Sequence, residues 1–323
     1  MVKKSPTKRC GNGSNTMAKA AIIDIGTNTF HLLLVDYTRQ SYTVLHREKQ
    51  VVKLGKGGMQ NQRIEQDAVT RALQALHLFA EICQSQSIER IDAFATSAVR
   101  SASNGKAFIA LVKKETGIVI EQISGTREAE LIYKGIRSFV PLGKEVSLLI
   151  DIGGGSTEFI IGNKDSSLWS KSFNLGVARM KETLPSTDPI SPEDYKEIKQ
   201  ELSEALTPLW SAIAKWKPKS LIGSSGTFES LLKMLWKQLG KEPDLTQPNI
   251  FSTDEFSALH KKLVASTLEE RLKLPGLAPM RAEYIVYGSI LIETVLDHTR
   301  YSQITYSDHA LKEGFLAELT QIE

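Results

Sequence analysis

Cysteine is nearly absent from this 323-residue chain: Cys10 and Cys83 stand far apart and share no metal-ligand spacing. That excludes a disulfide framework and a cysteine zinc site, and it suits a reducing, cytoplasmic setting. Long apolar runs are missing as well. None approaches the roughly 20 residues that cross a bilayer, so no membrane partner is expected. Neither sign of charge dominates: 40 Lys and Arg face 37 Asp and Glu, and the excess sits in residues 1–17, where Lys3, Lys4, Lys8 and Arg9 meet no acid. The remainder is close to neutral, which argues against a broad DNA-binding face. Residues 1–17 have no apolar segment and read as a disordered basic tail, not a signal peptide. Absent too are the G-x-x-x-x-G-K-S/T phosphate loop, the G-x-S-x-G elbow and the H-E-x-x-H zinc motif. With 41% hydrophobic and 24% charged residues the chain is globular, and its length calls for two domains.

What is present is concentrated in Leu148 to Gly162, LLIDIGGGSTEFIIG. Leu148, Leu149, Ile150 and Ile152 around Asp151 make a buried strand, and Phe159, Ile160 and Ile161 make its return. Gly153, Gly154 and Gly155 clear the turn of side chains, so its N–H groups can approach an oxygen-rich anion; Ser156 and Thr157 add hydroxyls. Acids on both sides, Asp151 and Glu158, are compatible with a bound phosphate when a divalent cation lies between them. The chain says nearly the same thing at Ala21 to Asp36, AIIDIGTNTFHLLLVD. Asp24 aligns with Asp151 and Gly26 with Gly153, and Phe30 aligns with Phe159 if the turns differ by two residues. Two such hairpins about 127 residues apart imply a duplicated domain with a ligand between the halves.

The remaining pattern alternates strand and helix. Strands are expected at Tyr42–Leu45 and Val51–Leu54, at 91–95 and at 118–123. Helices are expected over 64–84, 105–116 (after Ser101–Asn104) and 125–139. Pro141 to Glu145 marks the domain boundary. Beyond it come a strand at 169–173, a connection over 174–181, and a long helix from the Ser191 cap to about Trp216. The strand Leu221-Ile222 leads into Gly223-Ser224-Ser225-Gly226-Thr227, a small-residue turn opening a helix whose N–H groups suit phosphate. A loop is expected over 241–251, then helices over 253–265 and 280–299, a strand at 304–306 and a terminal helix. Glu128 stands in a first helical turn, where it either does chemistry or complements the helix dipole. Arg100 either clamps a phosphate or makes a surface ion pair. His31 reads as a core histidine and Asp308 as a helix cap.

The blocks DIGTNTFHLLLVD, ATSAVRSASNG, ISGTREAELIYKGI, LLIDIGGGSTEFIIG, GSSGTFESL and YSDHALKEG resemble, in order, those of the exopolyphosphatase/guanosine pentaphosphate phosphohydrolase family. The resemblance implies an α/β fold of two ribonuclease-H-like domains of the actin, Hsp70 and sugar-kinase superfamily flanking a cleft. The first domain would be 18–140 plus 300–323, and the second 141–299. It implies release of terminal phosphate from polyphosphate or guanosine penta- or tetraphosphate, with Mg²⁺ or alternatively Mn²⁺, and a homodimer as a family expectation. It places the general base on Glu128 and ties Asp151 and Glu158 to catalysis, with Asp24, Asp151 and Glu158 as metal ligands. Phosphate binding falls to Gly26, Thr27, Asn28, Thr29, Arg100, Gly153, Gly154, Gly155, Ser156, Thr157 and the turn Gly223 to Thr227. The chain departs from the pattern at Arg127, Glu130, His309 and Lys312, changes expected to alter charge near the cleft. It resembles the short form, for which weaker processivity on long polymers is expected. The rival readings are a non-enzymatic polyphosphate or alarmone sensor, and a kinase or ATPase of the same superfamily.

Overall fold

The computed structural model describes residues 17–321; Cys10 and the expected disordered tail lie outside them, apart from Met17. The first half runs β1 (Ala18–Ile25), β2 (Thr29–Tyr37), β3 (Tyr42–Val51), α1 (Gln66–Ser85), β4 (Arg90–Ala95), α2 (Ser97–Ser101), α3 (Gly105–Thr116), β5 (Ile120–Gln122) and α4 (Gly125–Arg137). The second half begins β6 (Ser147–Ile152), β7 (Thr157–Gly162), β8 (Ser167–Phe173), α5 (Val177–Thr183), α6 (Pro192–Ala205), α7 (Thr207–Trp216), β9 (Ser220–Ser224) and α8 (Ser225–Gln238). It ends β10 (Asn249–Ser252), α9 (Thr253–Ala265), α10 (Leu268–Leu272), a 3-10 turn (Pro279–Arg281), α11 (Ile285–Asp297), β11 (Gln303–Ser307) and α12 (Leu311–Thr320).

Two mixed sheets result, ordered β3-β2-β1-β4-β5 and β10-β11-β9-β6-β7-β8. Each is an antiparallel three-strand meander continued by two parallel strands, and β10 is an antiparallel addition to the second. The duplication is therefore structural. Register corrects one detail of it. Asp24 pairs with His31 and Asp151 with Glu158, and the turns close alike through Gly26 N to Thr29 O (3.2 Å) and Gly153 N to Ser156 O (3.0 Å). The two turns are equal in length, so Phe30 corresponds to Thr157, not Phe159, and His31 stands where the second hairpin has Glu158.

Central strands such as β6, buried at every position, have both faces covered, which is why they read as unbroken apolar runs. Ile23 and Leu32 face a core with α1 and α3. On the opposite side Ile22 and Leu33 share a core with Leu149, Ile160 and Ile222 of the second sheet, and with α4 and α12. Those two helices are thus held between the sheets. Residues 300–323 do not belong wholly to the first domain: β11 pairs with β9 and β10 in the second sheet, and only α12 returns to α4 and β1. Val52–Leu54 is loop and β3 is one continuous strand. Residues 177–183 form α5 where a connection was expected. The long helix divides at the buried Leu206, before Pro208, which fits only a helix's first turn. The last three residues of the expected loop join Ser252 in the edge strand β10, and the expected helix over 280–299 begins at Ile285, after the 3-10 turn.

Helices α4 and α12 meet backbone to backbone. A Cβ on Gly135 would lie 1.9 Å from Ala310 O, and one on Gly314 1.8 Å from Leu131 O. Gly314→Ala must separate two helices buried between both sheets, and overpacking of this kind costs on the order of 3 kcal/mol. A matching fall in urea unfolding free energy is the expected result; an unchanged midpoint would refute this packing.

Candidate active site

The two hairpin tips face each other across a cleft of about 350 Å³. Their approach depends on glycine: a Cβ on Gly154 would come within 3.0 Å of Thr27 Cβ and Asn28 Nδ2, and one on Gly155 within 2.5 Å of Thr27 Oγ1. Among the described residues Asn28 Nδ2 is buried there without a hydrogen-bond partner.

Seven acids line this space, and four of them are the expected site acids Asp24, Glu128, Asp151 and Glu158. Asp24 and Asp151 end the first strand of each hairpin, and Glu158 pairs across from Asp151. Glu128 enters on the first turn of α4, whose start is fixed by Ser124 Oγ accepting from Arg127 N at 3.1 Å. Each is deprived of water and most are given a specific donor. Glu128 Oε2 accepts from Arg100 Nη1 at 2.8 Å. Asp151 accepts from Ser224 Oγ at 2.7 Å and Ser225 Oγ at 2.8 Å. Glu158 Oε1 accepts from Ser172 Oγ at 2.6 Å. Ser225 holds its hydroxyl there from a left-handed backbone conformation, φ +68°, an unfavourable region for a residue with a Cβ.

Burial dominates the protonation of the group. It pushes Glu128 up to about 7, against the pull of Arg100, and Asp24 up to about 7, against Lys312. It also raises Asp151, opposed by the two serines, and holds Glu158 well above the carboxylate range, helped by the charges of Glu128 and Asp151. His31 is kept neutral by burial and by Lys312, Lys49 and Arg281. Acids that change charge near neutrality in a cleft are what proton transfer requires.

Of the residues expected to bind phosphate, Gly26–Thr29, Gly153–Ser156, Ser225 and Gly226 line the cleft. Five do not. Arg100 is spent on Glu128 and on Ile123 O (3.2 Å). Thr157 Oγ1 donates to Leu175 O at 2.8 Å. Gly223 leaves room for the Phe228 ring, Ser224 bonds Asp151, and Thr227 packs against Gly288. Asp308 is in the cleft but caps nothing: it accepts from Tyr306 OH at 3.0 Å, and Glu313 satisfies the Ala310 N–H at 3.1 Å instead. Arg127 and Glu130 do not line the cleft; Arg127 pairs bidentately with Glu318 of α12. His309 packs at a 35° tilt against Phe139 with centroids 4.6 Å apart. Of the four departures only Lys312 bears on the cleft.

Beside Lys312 the cleft has cations that the sequence reading missed, Arg47 and Lys49 of β3 and Arg281 of the 3-10 turn. Register places Lys49 beside His31, and Arg281 lies over Gly226, where a Cβ would meet its Nη2 at 1.9 Å. Only the alternation of β3 could have flagged Lys49; nothing local marks Arg281. For a metal, the donors on offer are hard carboxylate oxygens, which suit Mg²⁺. Among the described residues no group of three or more His, Cys, Asp or Glu side chains is placed to hold a metal ion.

Fold and cleft together define a duplicated α/β protein whose paired hairpins present backbone donors and buried acids to one ligand. The chain belongs to the Ppx/GppA phosphatase family, whose model matches residues 33–323. It is 32% identical over 299 residues, 93% of this chain and 90% of the other, to a protein of Haemophilus influenzae named provisionally as an exopolyphosphatase. The crystal structure of an exopolyphosphatase from Cytophaga hutchinsonii superposes with a TM-score of 0.91 at 41% identity, covering 94% of this chain and 99% of that one. An Aquifex aeolicus family member shares the fold at 22% identity and a TM-score of 0.78, covering 95% and 100% of the two chains. No helix among the described residues is long and apolar enough to cross a membrane.

The serines that hold Asp151 make a direct test. Ser224→Ala strips a buried carboxylate of one donor, at a cost of about 1–3 kcal/mol. Chemical denaturation should register that loss, and Asp151→Asn in the same background should recover part of it. Equal stability in all three proteins would remove the hydroxyl's assigned role.

Proposed function

We propose that this protein hydrolyses the terminal phosphoanhydride bond of inorganic polyphosphate. The observation that carries the reading is Glu128: a buried carboxylate, ionising near neutrality, beside two glycine-rich hairpins and fixed in orientation by Arg100. The names of the relatives at 32% and 41% identity support the same substrate. Hairpin N–H groups, Asn28 Nδ2 and the wall of Lys49, Arg281 and Lys312 would bind the phosphate oxygens. Glu128 would take a proton from water as its oxygen attacks the terminal phosphorus; the bridging P–O bond breaks, and orthophosphate leaves a chain one unit shorter. Asp24, Asp151 and Glu158 line the cleft where, were Mg²⁺ to enter with the phosphate, they could add single oxygens to its shell, and the ion would neutralise phosphate charge. Guanosine pentaphosphate presents a similar terminal anhydride and is the competing substrate.

Phosphate release should be followed with Mg²⁺ from polyphosphates of several lengths and from guanosine pentaphosphate. Glu128→Gln should lose at least about 10²–10⁴-fold in kcat while still binding tripolyphosphate. Binding without turnover in the wild type would defeat the hydrolase reading and leave a sensor.

The pH profile gives an independent check. A base must be deprotonated, so kcat/KM should rise through about pH 7, where Glu128 ionises. Arg100 draws that ionisation downward, so Arg100→Met should move the limb to higher pH. An unmoved limb would take Glu128 out of the rate-determining ionisation.

A further inference from the structure

The carbonyls of the second hairpin's glycine-rich turn are held from behind, which leaves the N–H groups of Gly154, Gly155 and Ser156 on the opposite edge of those peptides, while that of Gly153 closes the turn. Gly153 O accepts from Val177 N at 3.0 Å; Gly154 O accepts from Ala178 N at 2.9 Å and Arg179 N at 3.1 Å. Gly155 O accepts from Arg179 Nε at 2.8 Å. All three carbonyls are thus tied to the start of α5, which consumes the helix's own unpaired N–H groups. The fit leaves no slack, since a Cβ on Gly176 would lie 2.3 Å from Gly155 N.

Arg179 is the unusual member. Its guanidinium is buried, with the residue 8% exposed, and besides Gly155 O it reaches only hydroxyls, Ser101 Oγ at 3.0 Å and Ser97 Oγ at 3.5 Å. Among the described residues it has no carboxylate partner: Glu182, one turn on, gives its oxygens to Gly57 N (2.8 Å) and Met59 N (3.1 Å). An unpaired buried cation is costly, and burial together with Arg100 pulls its proton affinity down. The cost is offset when an anion occupies the cleft in front of the turn. The serines it grasps belong to α2, which also carries Arg100, the partner of Glu128.

We infer that Arg179 is a positioning residue for phosphate binding: its side chain locks the Gly155–Ser156 peptide by the carbonyl, which leaves the N–H on the opposite edge of that peptide for the cleft, and lends the turn a fixed positive charge from behind. It touches neither the reacting atoms nor the substrate. The inference rests on the phosphate-binding reading above and adds a residue to it that lies outside the cleft lining.

Calorimetric binding of tripolyphosphate to the full chain, with thermal melting and steady-state kinetics, tests both. Arg179→Met should weaken tripolyphosphate binding and raise KM about tenfold, with kcat within about threefold and a melting temperature equal to or above the wild type. Arg179→Lys, which keeps the charge and can still reach Gly155 O, should bind within a few-fold of the wild type. If the methionine variant does not fold, Arg179→Gln takes its place. Wild-type protein that ignores tripolyphosphate would overturn the functional reading itself. Wild-type binding that survives Arg179→Met unchanged, or a loss of kcat and melting temperature with KM unaltered, would overturn the role of Arg179 alone.

Discussion

Four carboxylates share one water-poor space, and much of the surrounding architecture answers that repulsion. Asp24, Glu128, Asp151 and Glu158 raise one another's cost of ionising, and burial adds more. A hydroxyl or cation from a different element faces most of them. Arg100 comes from α2, Ser172 from β8, Ser224 and Ser225 from the junction of β9 and α8, and Lys312 from α12. Each of these hydrogen bonds joins two elements of the same half, so each half keeps its own acids satisfied. The same requirement accounts for the strained Ser225: a glycine there would suit the backbone but supply no hydroxyl to Asp151.

The duplication is close in backbone and unequal in chemistry. Both hairpins carry Asp at the same register and close with the same turn bond. Opposite that Asp, one has His31 and the other Glu158. Burial keeps His31 neutral beside Lys49 and holds Glu158 well above the carboxylate range beside Asp151, so neither residue adds a fixed charge, and the contrast between the walls comes from the cations that face the first hairpin.

Local pattern carried the sequence reading a long way. The hairpins, α1, α3, α4 and α8 each announce themselves through apolar period, capping residues or glycine, and the acids sit where the motifs put them. What escaped was short or non-local. Seven residues give α5 too few turns to show a period, and four residues at a sheet edge do not distinguish β10 from loop. Sheet membership of β11 depends on a partner, β9, that lies far away in sequence. The site repeats the lesson: the acids were legible as motifs, while Ser172, Lys49, Arg281 and Arg179 have no motif and acquire meaning only from what they touch. Arg100 was left open between a phosphate clamp and an ion pair, and the resemblance gave it to phosphate; nothing in its own segment reveals Glu128 as the partner.

The departures from the family pattern separate by the same criterion. Arg127 and Glu318 pair across α4 and α12, and His309 packs against Phe139, so their altered charges are satisfied within the protein. Lys312 is different. Its ammonium lies 3.0 Å from Glu313 Oε1 and stabilises the anionic forms of Asp24 and Asp151 from the cleft wall. An arginine there would offer a planar fork that prefers one bidentate alignment; lysine is a compact charge on a flexible stem. This wall therefore fixes the sign of the ligand more than its orientation. Orientation falls to the hairpin N–H groups, whose direction is set by peptide planes that side chains such as Arg179 hold from behind.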